Sequence, residues 1–451
     1  MSLSSYSVME TQACRVRPAS PHPSLTLPVS IFDVVWINLH PVERIFFYHL
    51  TDSSSDTFHS IIVPNLKRSL ALALDYFYPV AGRLVWHDSD PVFHYHPNDS
   101  VSLAVAEARD PESFIVFAGK KPFQASRTRQ FVPQLFSTES EAELIAFQIT
   151  LFVGHGLAIG MTSHHGFFDG KSNTMILKAW SHFNKILPLD SVSDEAPPLP
   201  QELLPSFNRT AGKDPEGLYA KVLNGTRRSM KVSPVTDLNP ALVRGTFDIS
   251  EEDAKKMRDF VSSAVGDGDG NKVSAKSLHL STLVLAYSFA ICCVCKVKKL
   301  ESSVCIALVS DSRSSHSIAI AENYFGNCIK FLMETLETEA IVANDGLATV
   351  AVCIGGIVQE LRKMTVYDSI RRLVLRPGFI SIAGSPRFEV YKTDFGWGRP
   401  ERVEITSIDR GLAISVADRR EGHGGVEIGI VLEDNEMLEF CKLFKKGIQD
   451  L

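Results

Sequence analysis

Apolar and polar positions alternate in short runs through the first 186 residues, interrupted by a stretch at helical spacing. Ser24–Trp36 is strand-prone, Phe58–Phe77 repeats apolar residues every three or four positions, and Ala81–Tyr95 returns to alternation. This half is predicted to be mixed α/β. Between Leu187 and Pro205 the pattern collapses: Pro188, Pro197, Pro198, Pro200 and Pro205 lie among serines and acidic residues. Proline has no amide hydrogen and a fixed φ, so the stretch forms neither a helix interior nor a central strand. The expected organisation is a first domain over 1–186, a Pro-rich crossover linker over 187–221 and a second domain over 222–451. In the second half, Val243–Ile249 reads as a strand and Glu251–Val265 as a helix. The polar loop Gly266–Lys276 then leads to a more apolar helix, Leu278–Lys296.

The segment Ala142–Phe183 carries the densest chemistry. Leu144–Phe152 and Leu157–His165 alternate and are joined by Val153-Gly154-His155-Gly156, which predicts a β-hairpin. Period two puts Leu157, Ile159, Met161, Ser163 and His165 on one face and His164 on the other. Gly166 breaks the strand, after which Met175, Ile176, Ala179, Trp180 and Phe183 follow helical spacing. His165 thus falls at a strand end, where an imidazole that titrates near neutrality can take and return a proton. A histidine there is also a common structural residue, and this stretch alone does not separate the two. Asp169 stands where the helix needs an N-cap, so a cap or an ion pair is the first expectation for it. Ser163 beside His165 raises serine chemistry, but the chain has no G-x-S-x-G turn, and Gly384-Ser385-Pro386 sets proline where such a turn would run on.

Composition narrows the partners. The chain has 451 residues, 45% hydrophobic and 22% charged, with 46 basic against 52 acidic residues for a net charge of −6. It has enough apolar residues for a large core and no basic stripe, so nucleic acid is not expected as a partner. The apolar run Leu283–Cys295 is shorter than the roughly 18–20 residues a bilayer demands, so it reads as a buried helix, and no membrane partner is expected. The N-terminus shows no basic region followed by a continuous apolar stretch, and a cytoplasmic location is expected. Eight cysteines do not form a disulfide framework. Cys292-Cys293-Val294-Cys295 lacks the second ligand pair that zinc requires, so no metal site is expected. Gly266–Gly270 would need glycine at Lys272 and glutamate at Leu278 to bind calcium, and reads as a solvent loop. Asp394-Phe-Gly-Trp-Gly398 reads as a tight turn built on glycine's conformational freedom.

Taken together, two of these segments are diagnostic. His164-His165-Gly-Phe-Phe-Asp169-Gly170 and Asp394-Phe-Gly-Trp-Gly398 resemble the HxxxD and DFGWG motifs of the plant BAHD acyl-CoA-dependent acyltransferases. Phe77–Leu84 is similar to that family's YPLAGRL segment, Trp36 through Val42-Glu43-Arg44 to its N-terminal strand and turn, and Tyr324–Cys328 to the YFGNC variant of members that acylate anthocyanins and other phenolic glucosides. The resemblance spans essentially the whole chain. It implies two similar-sized mixed-sheet domains of the chloramphenicol-acetyltransferase kind, joined by a long crossover loop. Part of 370–400 would pack against the first domain, and an active-site channel would lie between the two.

The resemblance also implies roles. His165 would be the general base, removing the proton from an acceptor hydroxyl that attacks the thioester directly. Asp169 would support the motif through an ion pair with Arg313. Asp394, Gly396 and Gly398 would be structural, with Trp397 offered as an indole donor toward the oxyanion. Acyl-CoA would be a co-substrate, with no permanently bound cofactor, and the enzyme a monomer acting on a sugar hydroxyl of an anthocyanin or other phenolic glycoside. N-acylation of an amine and a non-catalytic binding role are the alternatives. For the acyl group, Arg387 and Arg313 are candidate partners of a malonyl carboxylate, whereas Gly166-Phe167-Phe168 suggests a narrowed channel and an aromatic, hydroxycinnamoyl preference.

Overall fold

The computed structural model describes residues 8–88, 90–187, 198–209, 214, 217–232, 239–266, 278–313, 320–372, 379–422 and 424–451. Of the expected linker, 188–197, 210–213 and 215–216 lie outside the described residues, as does 267–277 of the polar loop. No described helix is long and apolar enough to cross a membrane.

The alternating patterns fold into three sheets. A six-stranded sheet runs in the order Val8–Val16, Val101–Ala108, Ile145–Phe152, Gly156–Ser163, Val42–His49 and Arg402–Ile405. A seven-stranded sheet runs Ile329–Glu337, Ser303–Asp311, Phe379–Ala383, Ala413–Asp418, Val426–Glu433, Leu242–Ile249 and Phe123–Gln124. Four short strands from the first half make the third sheet. The two large sheets exchange edge strands: Arg402–Ile405 pairs with Val42–His49, and Phe123–Gln124 pairs with Leu242–Ile249. Each half therefore completes the other's sheet, and backbone hydrogen bonds tie them together.

The hairpin forms as expected, from Ile145–Phe152 and Gly156–Ser163, and every residue of both strands is buried. Burial on both faces follows from packing against a helical layer on one side and a phenylalanine-rich cluster on the other. The helix that follows, Gly170–Ile186, buries Met175, Ile176, Ala179, Trp180 and Phe183. It packs on the helix Val63–Tyr76, where the Trp180 indole donates to the Leu66 carbonyl at 3.0 Å. The second half centres on the helix Thr282–Lys298, which buries Cys292, Cys293 and Cys295 among aliphatic neighbours.

The expected strand over Ser24–Trp36 is shorter than the pattern suggested. It ends at Pro28, and Val34–Trp36 is a turn of 3-10 helix. The cause is local: the Asp33 carboxylate accepts from both the Ser30 amide (2.9 Å) and hydroxyl (2.6 Å), closing a turn that propensity did not reveal.

In the middle of the hairpin, Gly160 has no room for a side chain. A Cβ there would lie 1.8 Å from the Phe131 carbonyl oxygen, because the segment Ala125–Phe131 crosses the strand at that point. Gly160→Ala is expected to destabilise the fold by about 1–3 kcal/mol through overpacking. Urea denaturation compared with the parent chain checks this, and an unchanged midpoint would contradict the close approach.

Candidate active site

His164 and His165 follow the last residue of the hairpin and point to different surroundings. His164 is buried, and its Nδ1 accepts from the Gly166 amide at 3.1 Å. Burial, and then its histidine neighbour, push it down to about 4. His165 keeps partial exposure and stacks on Trp36, with ring centroids 4.7 Å apart and planes 11° from parallel. Its Nδ1 is buried without a hydrogen-bond partner. Burial holds His165 below the ordinary imidazole value, against the opposing pull of its own backbone carbonyl and of Asp169. At neutral pH the ring is therefore uncharged.

Asp169 caps the Gly170–Ile186 helix, accepting from the Ser172 amide at 2.9 Å. Its other oxygen accepts from the Cys328 amide at 3.0 Å and from Arg313 Nη2 at 2.8 Å. Both side chains of this ion pair are buried. Arg313 uses its remaining donors on the Tyr324 carbonyl (2.8 Å), the Gly326 carbonyl (2.7 Å), the Ser172 hydroxyl (3.2 Å) and Asp311 (2.9 Å). The guanidinium is thus fully engaged and has nothing to offer an acyl carboxylate. Next to it, Asn327 donates to the His165 carbonyl at 2.8 Å. Asn327 was not singled out in the sequence; its chemistry emerges only when 324–328 is laid against the histidine loop.

Other expected site residues lie elsewhere. Asp394 accepts from the Gly396 and Gly398 amides, each at 2.8 Å, and from Lys185 at 2.6 Å. Gly396 and Gly398 have φ of +103° and +89°, a conformation glycine adopts without strain. Lys185 is in the last turn of the helix whose first turn Asp169 caps, and 17 residues at 1.5 Å put the two ends about 25 Å apart. Trp397 packs on Tyr48 and Phe395 at that far end. It is not brought to His165, and an oxyanion role for its indole has no geometric basis. Arg387 is exposed on a turn. Phe167 and Phe168 are completely buried in the first core, packed on Phe93 and Phe325, so they do not narrow a channel.

One charged residue nearby was overlooked. Arg44 shares a strand face with Phe46 and Tyr48, an ionic side chain in an apolar register, which is the signal that could have found it. It is 2% exposed, donates to Thr174 Oγ1 at 2.9 Å and lies over the Phe388 ring.

The arrangement offers a neutral, buried-edge imidazole with its backbone carbonyl pinned and its ring clamped by an indole. A neutral imidazole of this kind can accept a proton from a bound hydroxyl or amine. Cys328, the nearest thiol to the ion pair, is pushed up to about 12 by burial, so it carries no thiolate at neutral pH.

Comparison with known proteins agrees with the motifs. A family model described as the Transferase family matches residues 6–446. Phenolic glucoside malonyltransferase 1 of Arabidopsis thaliana is 37% identical, covering 95% of this chain and 94% of its own. Agmatine coumaroyltransferase of the same organism is 32% identical over 96% of this chain and 98% of its own. Among solved structures, vinorine synthase superposes with a TM-score of 0.66 at 19% identity, over 96% of both chains, and shares the fold. With the motifs in one chain, the two halves interlocked and the match running from end to end, this protein belongs to the Transferase family, the BAHD acyltransferases its sequence resembles.

Proposed function

We propose that this acyltransferase moves an acyl group from acyl-CoA to a sugar hydroxyl of a phenolic glycoside, anthocyanins included, with His165 as general base. The carrying observation is the setting of that imidazole: at the end of the hairpin, stacked on Trp36, and held by burial below its ordinary value. The relative at 37% identity is named for malonyl transfer to phenolic glucosides, which supports the acceptor class. In this reading the acceptor hydroxyl gives its proton to Nε2 as its oxygen attacks the thioester carbonyl. The tetrahedral intermediate then expels the CoA thiolate, which takes up the proton from the imidazolium. Asp169 and Arg313 hold the loop that positions the base and do not meet substrate. The enzyme would act as a monomer in the cytoplasm. The coumaroyltransferase relative favours one other reading, in which an amine replaces the hydroxyl. Release of free CoA thiol with a glycoside or an amine acceptor, followed by mass spectrometry of the product, separates the two; an absence of thiol release with either would overturn both.

His165→Ala is expected to fold normally and to lose roughly 10²–10⁴ in kcat, the range for a general base. Turnover near the parent value in a folded variant would rule the mechanism out. Because the base works in its neutral form and its pKa is depressed from 6.5, activity should persist as pH falls to 6.5 and be lost below it. A kcat/KM profile whose acidic limb lies above 6.5 would contradict this.

Arg313→Ala would leave Asp169 as a buried, uncompensated charge, at an expected cost of about 3–5 kcal/mol. Asp169→Asn keeps a capping residue but removes the charge, and should also lower stability. Thermal unfolding of both variants checks this. If they are inactive yet as stable as the parent, Asp169 has a chemical role instead.

Direct attack requires both substrates bound together. Initial-rate lines should intersect, and no burst of CoA should appear without acceptor. Cys328→Ser should retain most of kcat; a parallel-line pattern, or loss of turnover in a folded Cys328→Ser, would point to an acyl-enzyme.

A further inference from the structure

A general base that takes a proton becomes an imidazolium, and a buried cation is costly unless something stabilises it. In a serine triad that partner is a carboxylate on the second ring nitrogen. Among the described residues nothing fills this place: His165 Nδ1 is buried and has no hydrogen-bond partner. Asp169 acts on the ring only through its charge. Its oxygens are occupied by the Ser172 amide, the Cys328 amide and Arg313, and the guanidinium beside it offsets much of that charge. The other titratable groups around the loop are neutral or engaged. Burial holds His164 down to about 4 and Cys328 up to about 12. Asp33, on the turn that carries Trp36, is bound by Arg209, and Lys330 donates to the Met364 carbonyl at 2.9 Å.

What does meet the ring is the Trp36 indole. Its plane lies 11° from that of the imidazole with centroids 4.7 Å apart, inside the roughly 6 Å over which an aromatic face attracts a cation. Phe331 packs edge-on against the indole, centroids 6.0 Å apart and planes at 85°. Trp36 itself ends a turn of 3-10 helix that Asp33 and Ser30 close. The indole is therefore held over the imidazole before any proton arrives. Among aromatic side chains indole has the strongest attraction for a cation, and the contact strengthens where water is excluded.

We infer that Trp36 is a positioning residue of the general base, its indole face stabilising the imidazolium that forms when His165 takes the acceptor's proton, in the place a carboxylate holds in a triad. This rests on the reading of His165 as base and adds the group that stabilises its protonated form. A stack that only fixed the ring's orientation would be indifferent to its charge. A face that stabilises the cation raises the ring's affinity for a proton, against the burial that lowers it. Together the two leave the base uncharged at rest and able to hold a proton during transfer.

The test changes the electron density of the indole and keeps its shape. Tryptophan, a monofluorinated and a trifluorinated tryptophan are placed at position 36 by stop-codon suppression, since each fluorine withdraws density from the ring face. Trp36→Leu would also admit water to the imidazole, which raises its affinity for a proton by a separate route, so the fluorinated rings carry the test. The His165 titration midpoint is read by NMR in the substrate-free protein, its resonance assigned from its loss in His165→Ala. The midpoint should fall along the series, by roughly 0.3–1 pH unit for the trifluorinated ring. The acidic limb of kcat/KM should move to lower pH with it, and the plateau kcat should drop by up to about tenfold. The same replacements at Trp397, at the far end of the Gly170–Ile186 helix, should leave the midpoint where it was. A midpoint that stays fixed across the series at position 36, or that falls equally for position 397, would overturn the assignment. A midpoint that falls while kcat and its pH profile keep their parent values would leave the stabilised imidazolium standing and sink His165 as the base.

Discussion

A single desolvated carboxylate, that of Asp169, joins three parts of the molecule that the chain keeps far apart. It caps the helix after the hairpin, accepts the Cys328 amide and pairs with Arg313 from the second half. Arg313 in turn binds the carbonyls of Tyr324 and Gly326, and Asn327 between them holds the His165 carbonyl. The position of the imidazole thus depends on a charge pair that contacts no ring atom of His165. Removing either partner strands the other in a low-dielectric site, so the loop geometry is enforced by the cost of the alternative.

The same principle operates across the whole interface. Glu43 is gripped by Arg129 at 2.7 Å and by Arg410 at 2.9 Å, and Arg244 and Arg402 carry their own glutamates. These contacts surround the places where each sheet borrows a strand from the other half. Buried ion pairs add little net stability compared with apolar packing, but they tolerate few alternative registers. They fit an interface whose halves must align side chains to within a hydrogen bond. Arg44 stands in this interface with Asp169 only as a longer-range charge, its guanidinium donating instead to Thr174.

Much of the chemistry was legible in the chain because it depends on local spacing. The hairpin, the helix after it and the cap at Asp169 follow from period two, period 3.6 and the preference of Asp for helix starts. The helices Glu251–Val265 and Thr282–Lys298 were visible in the same way, the second beginning a few residues later than its apolar pattern. Trp36, His165, Asp169, Asn327 and Cys328, which meet at the site, lie in the segments that resemble the family, while Ser172 and Asp311 lie outside them.

What the chain alone left open was which of those residues are free to act. Arg313, Arg387 and Arg44 are alike as letters; tertiary contacts saturate the first, expose the second and leave the third buried with an unused donor. Phe167 and Phe168 looked like channel walls and are core, while Trp36, placed in a strand by its neighbours, is turned by Asp33 to lie on His165. Trp397 sits in a signature motif, yet a helix about 25 Å long separates it from the base. Spacing along a chain determines secondary structure because backbone geometry is periodic. Whether a charge is paired, or a ring buried, is decided by residues hundreds of positions away, and only the folded arrangement contains that information.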